Sequence, residues 1–212
     1  VSSGDALGQV TGSVFEPPPA VIITRQTTTI TATFPVLTGS PFSINTGAQT
    51  INPGAITNIT VTGGTLTINP GSYGDLTVGP GTVVMTMPGT YQFTNVTFNN
   101  NSTFSPNSAA GVIRINVRQT LQFRGVCTAA GLSPQNLRWA VFGAGGATIG
   151  QATVANVFQG TVVAMNGALI IDNSNRTYRG AFFGLTVTVN SAPPTNVPIL
   201  QHVGFTSWEA PT

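Results

Sequence analysis

Five carboxylates are all that this chain offers for acid–base or metal chemistry: Asp5, Glu16, Asp75, Asp172 and Glu209. Cleaving an acidic polysaccharide by β-elimination takes several carboxylates around a calcium ion and a base for the α-proton. Glycoside hydrolysis takes two carboxyl groups about 5–10 Å apart. Three of the five acids fall outside the repeating part of the chain. Asp75 and Asp172 stand about five coils apart, roughly 24 Å at one strand spacing per coil, too far to share a substrate bond. His202 is the only histidine, and in a terminal tail it reads as a structural hydrogen-bonder. Cys127 is the only cysteine, so no internal disulfide forms. In RGVCTAAG it has no neighbouring His or acid to activate it and reads as a buried, inert thiol. Neither a GxSxG elbow nor a glycine loop opening a helix is present. The expectation is a protein that is not an enzyme and uses no cofactor or metal.

Charge narrows the partners. Charged residues make up 6% of the chain, its seven basic residues are all arginine, and the formal net charge is +2. A nucleic-acid surface needs several phosphate contacts focused on one face, whereas these arginines are dispersed, so no nucleic-acid partner is expected. Hydrophobic residues reach 41% but are interleaved with Thr, Asn and Gly. No run approaches the roughly 20 apolar residues of a membrane helix, and membrane insertion is not expected. A neutral surface rich in hydroxyls and amides repels its own copies weakly and permits self-association. A start at Val1 in such a composition fits a secretory leader already removed, hence an extracellular or cell-surface location.

The elements that would carry these residues repeat. Pro35, Pro53, Pro70, Pro88 and Pro106 are spaced 18, 17, 18 and 18 residues, and each opens a similar phrase, such as PGSYGDLTV and PGTYQFTNV. A short fixed period is the mark of a solenoid, whose repeats bury their apolar faces only by stacking. Leu76 with Val78, Val96 with Phe98 and Ile113 with Ile115 have the period-2 spacing of inward-facing strand residues. Ile51, Ile68 and Phe104 each lie two residues before a register proline, and Tyr73 and Tyr91 three after. Residues 21–34, VIITRQTTTITATF, alternate from Thr27 to Phe34 and read as the first strand or the entry into the first coil. Residues 125–136 break the rhythm as a corner insertion. Phe142, Phe158 and Tyr178 then punctuate the later coils. The fold class expected is all-β, a right-handed parallel β-helix of about 18 residues per coil and roughly nine coils. It would comprise an extended N-terminal arm (1–25), the solenoid (26–200) and a C-terminal capping tail (201–212).

The phrases PGSYGDLTV, PGTYQFTNVTF, FQGTVVAMNGALIID and YRGAFFGLTVTVN resemble those of uncharacterised secreted bacterial β-helix domains of cell-surface proteins. More distantly, the late phrases are similar to the ice-binding β-solenoid family. The first resemblance implies a right-handed β-helix outside the cell with no catalytic residues. The second raises ice binding, which needs threonines stacked at one coil position. Counted at fixed offsets from the prolines, Thr60 and Thr77 make one ladder and Thr65 and Thr82 another. Each is two rungs deep before Asn95 and Asn100 interrupt.

A solenoid has two open ends that must be capped or paired. The Pro-rich arm, with Val14, Phe15, Pro17, Pro18 and Pro19, and the tail, with Phe205 and Trp208, are the expected assembly contacts. They point to a self-assembling subunit of a filament, sheath or surface layer, a homo-oligomer or polymer with itself. The alternative is an adhesin or carbohydrate-binding module with glycan as partner. It would need aromatic platforms, for which Tyr73, Tyr91, Trp139 and Trp208 are candidates, although both tyrosines also suit an interior stack.

Overall fold

A computed structural model describes residues 32–202 apart from 55, 108–110, 130–131, 151–156, 173–176 and 191–198. The described residues form an all-β solenoid of parallel stacked coils, with a single 3₁₀ turn at Pro134–Asn136. Its strands fall into three sheets. The first contains β1 (Ser40–Ile44), β3 (Ile56–Val61), β5 (Gly71–Ser72), β6 (Asp75–Val78), β8 (Gly89–Phe98), β10 (Ile113–Phe123), β12 (Leu137–Val141), β13 (Ala147–Ile149), β15 (Thr161–Ile171) and β17 (Phe182–Val189). The second contains β2 (Ala48–Ile51), β4 (Thr65–Ile68), β7 (Thr82–Met85), β9 (Thr103–Pro106) and β11 (Val126–Cys127). The third, β14 (Val157–Gln159), β16 (Thr177–Gly180) and β18 (Ile199–His202), continues the second, with β14 beside β11.

The first sheet turns a corner, because β8, β10 and β15 are long enough to serve two faces. β5 and β12 pair with the first halves of these strands, and β6 and β13 with the second halves. Each coil therefore presents three walls around a core. One inward column runs Ile59, Leu76, Val96, Leu121, Ala147 and Leu169, all buried. Its neighbour runs Val61, Val78, Phe98, Phe123, Ile149 and Ile171, also buried. Phe123 holds an aromatic cluster together, with ring centroids 4.9 Å from Phe98, 5.2 Å from Phe158 and 6.1 Å from Trp139.

Coil length is not constant. Along one outer column, Ser43, Thr60, Thr77, Thr97, Gln122, Thr148, Ile170 and Thr188 are successive partners. Their differences are 17, 17, 20, 25, 26, 22 and 18 residues. Three register prolines stack on a glycine of the next coil: Pro53 lies against Gly71, Pro70 against Gly89 and Pro88 against Gly111. Two prolines depart from the register. Pro106 ends β9 opposite Met85 and is buried, three positions ahead of where Pro88 sits in its coil. Pro35 precedes β1. For the same reason Phe104 shares a column with Leu66 and Val83, not with Ile51 and Ile68.

Later, Phe158 and Tyr178 are true partners, but Phe142 lies off their column and meets Phe34 at 5.7 Å. The described end of the alternating segment, 32–34, has no strand. It crosses the outside of the solenoid, where the Thr33 carbonyl accepts a hydrogen bond from Gln92.

Candidate functional surfaces

The residues that could do chemistry remain apart. Asp75 opens one wall and Asp172 follows its far end, four register steps away, or about 19 Å. Among the described residues no group of three His, Cys, Asp or Glu could hold a metal. Cys127 is buried and in no disulfide, and His202 ends β18 opposite Gly180.

Three of the four candidate aromatic platforms are interior, and Trp208 lies outside the described residues. Tyr73, Tyr91 and Trp139 are all buried, which corrects their candidacy for stacking a sugar and bears out the interior alternative for the tyrosines. Each hydroxyl reaches back four residues to the carbonyl ahead of a proline, Tyr73 to Asn69 at 2.7 Å and Tyr91 to Met87 at 2.8 Å. The PGxY phrase is thus a corner clasp. Its glycine takes a left-handed backbone, φ +151° at Gly71 and +144° at Gly89, and a side chain there would strike the proline of the preceding coil. Burial pushes the Tyr91 phenol up to about 12. The Tyr73 phenol is raised further, by burial first and by neighbouring Tyr91 second.

The outer surface is more regular than fixed offsets suggest. On the second sheet, Ala48, Thr65, Thr82, Thr103 and Val126 form one outward column, and Thr50, Thr67, Val84 and Ser105 form the next. On the second wall of the first sheet, Ser43, Thr60, Thr77 and Thr97 stack in sequence. Both threonine columns are three deep and extended by serine, alanine or valine. The ladder through Thr60 and Thr77 continues to Thr97, not Asn95, because that coil is three residues longer than the one before. Along each column the spacing is about 4.8 Å, and between columns of one strand about 6.6 Å.

Beside these columns runs a polar corner. Thr120 Oγ1 donates to Asn95 Oδ1 at 2.7 Å, Asn95 Nδ2 to Asp75 Oδ1 at 2.8 Å, and the Asp75 N–H to Asn58 Oδ1 at 3.4 Å. Sequence reasoning missed this ladder, since its members sit at unequal spacings.

The last rung differs from the others. Val187 and Val189 continue the core columns of Leu169 and Ile171, yet they are 43% and 44% exposed, and Leu185 at the corner is 53% exposed. Among the described residues β17 pairs only with β15. The expected assembly contacts Val14, Phe15, Pro17, Pro18, Pro19, Phe205 and Trp208 lie outside the described residues. Set against known protein families, curated proteins and solved structures, the chain matches none.

Proposed function

We propose that this chain is a non-enzymatic extracellular structural protein that assembles with itself, end to end, into a filament, sheath or surface layer. The carrying observation is the last described rung, where Leu185, Val187 and Val189 stand half in solvent on a strand that, among the described residues, pairs on one side only. A second copy seated there would bury these side chains, at about 1 kcal/mol or more each, and satisfy the strand edge. Contact between the two different ends of a solenoid is head-to-tail, and stacked along the solenoid axis it propagates rather than pairing off. The small net charge opposes this weakly. The coil is read as right-handed, the usual hand of parallel connections, with roughly nine coils over residues 26–200 and about 18 residues in the shorter coils. Val14, Phe15 and Pro17–Pro19 of the arm, with Phe205 and Trp208 of the tail, are the proposed additional contacts.

Sedimentation velocity tests this reading. Wild type should form species that grow with concentration, and Val187→Asp with Val189→Asp should sediment as a monomer with unchanged circular dichroism. Growth undiminished in the double variant would show that the ends do not carry assembly.

Of the aromatic platforms named for the carbohydrate-binding alternative, Tyr73, Tyr91 and Trp139 are buried. A second reading has its own observation, the in-register threonine columns on two walls. Flat arrays of hydroxyls and methyls at fixed spacing suit ordered water, and hence ice. Wild type should then shape ice crystals and Thr82→Tyr, in the middle of a column, should not. Unshaped ice from wild type would remove this reading.

A further inference from the structure

The corner between the first and second walls holds a cleft of about 260 Å³ whose lining includes Val36, Thr57, Asn58, Asp75, Thr94 and Arg118. We propose that it binds one ring of a neutral sugar.

Arg118 reaches the cleft through a defect in the sheet. In the pairing of β10 with β8, Val117 faces Phe93 and Thr120 faces Asn95, so Arg118 and Gln119 together oppose Thr94. A bulge of this kind re-aims the extra side chain out of the regular ladder. Asp75 is held from the other direction. Its Oδ1 accepts from Asn95, which in turn accepts from Thr120, so the carboxylate is oriented before any ligand arrives. The third part is the segment ahead of β1. Pro35 to Leu37 crosses the corner as a lip, and Val36 is 87% exposed, the highest value among the exposed large hydrophobic side chains. Nothing in the solenoid core requires an apolar side chain there.

These groups select a ligand class. A carboxylate accepts from hydroxyls, a guanidinium donates to them, and an amide with two threonine hydroxyls can do either. Vicinal sugar hydroxyls need such adjacent acceptors and donors. A pyranose also has a C–H face, which suits an aliphatic lip. One cation and one anion line the cleft, so it has no net charge with which to favour a uronate or a sulfate. Small-molecule sites begin at about 300 Å³, and this cleft is slightly smaller, enough for one ring and not a branched chain. Ligand binding here is read by titration and assembly by sedimentation, so the failure of one is distinguishable from the failure of the other.

Saturation-transfer NMR and isothermal titration on the full chain test the site, with glucose, galactose, mannose and N-acetylglucosamine as probes and galacturonate as the charged comparison. At least one neutral sugar should bind with Kd on the order of 1 mM. Arg118→Ala, which alters an exposed side chain, should weaken that binding about 10-fold or more with the melting temperature unchanged. Asp75→Asn should weaken it similarly, and Val36→Ser by less. Galacturonate should bind no tighter than galactose. The proposal is overturned if wild type shows no saturation transfer from any of the four sugars, if Arg118→Ala binds as well as wild type, or if galacturonate binds tighter than galactose.

Discussion

Tyr73 and Tyr91 direct their hydroxyls into the corners that precede them, and the consequences can be measured residue by residue. Tyr73→Phe or Tyr91→Phe leaves a corner carbonyl without its donor and should cost about 1–3 kcal/mol in urea unfolding. The pH dependence has a definite sign. An unfolded tyrosine ionises near 10, Tyr91 in the fold at about 12 and Tyr73 higher still. Their contribution is therefore complete below about pH 10 and lost as pH rises through 12. The melting temperature should not respond to these phenols up to about pH 9 and should fall above pH 10, with tyrosinate absorbance from this pair appearing only as the fold is lost. Ionisation of Tyr73 and Tyr91 near pH 10 with the fold intact would contradict this account. The interior stack was legible in the PGxY spacing. The hydroxyl partners were not, since four-residue back-bonding at a proline corner has no compositional signal.

At the scale of the element, the controlling variable is coil length. Strand alternation made the inward pairs Leu76–Val78, Val96–Phe98 and Ile113–Ile115 readable, and all six are buried. A fixed period of 18 then misassigned Pro106, Phe104 and the third threonine of a column, because corners absorb extra residues without disturbing the stacked strands. Insertions at corners are cheap, whereas a slip within a strand would turn its core residues outward. Two substitutions probe this. Gly71→Ala places a side chain at φ +151° against Pro53 and should destabilise by about 2 kcal/mol or more. Gly54→Ala has open space around it and should change stability by under about 0.5 kcal/mol. Equal losses at both positions would show that stacking of proline on glycine does not govern the corner. Phe123→Ala, at the centre of the ring cluster, should cost about 3–5 kcal/mol.

For the whole molecule, composition and structure point the same way. A chain with five acids and seven arginines has little means of keeping copies apart, and its last described rung exposes core-type valines on a strand that, among the described residues, pairs on one side only. That exposure could not be read from sequence, where TVTV looks like any other alternating strand. Which side of it faces the core depends on its register with β15. The most direct test is negative-stain electron microscopy of the full chain over a range of concentrations, beside the chain carrying Val187→Asp and Val189→Asp. Ordered fibres or sheets from wild type and separate short rods from the variant are the predicted result. Separate rods from wild type at every concentration would contradict end-to-end assembly.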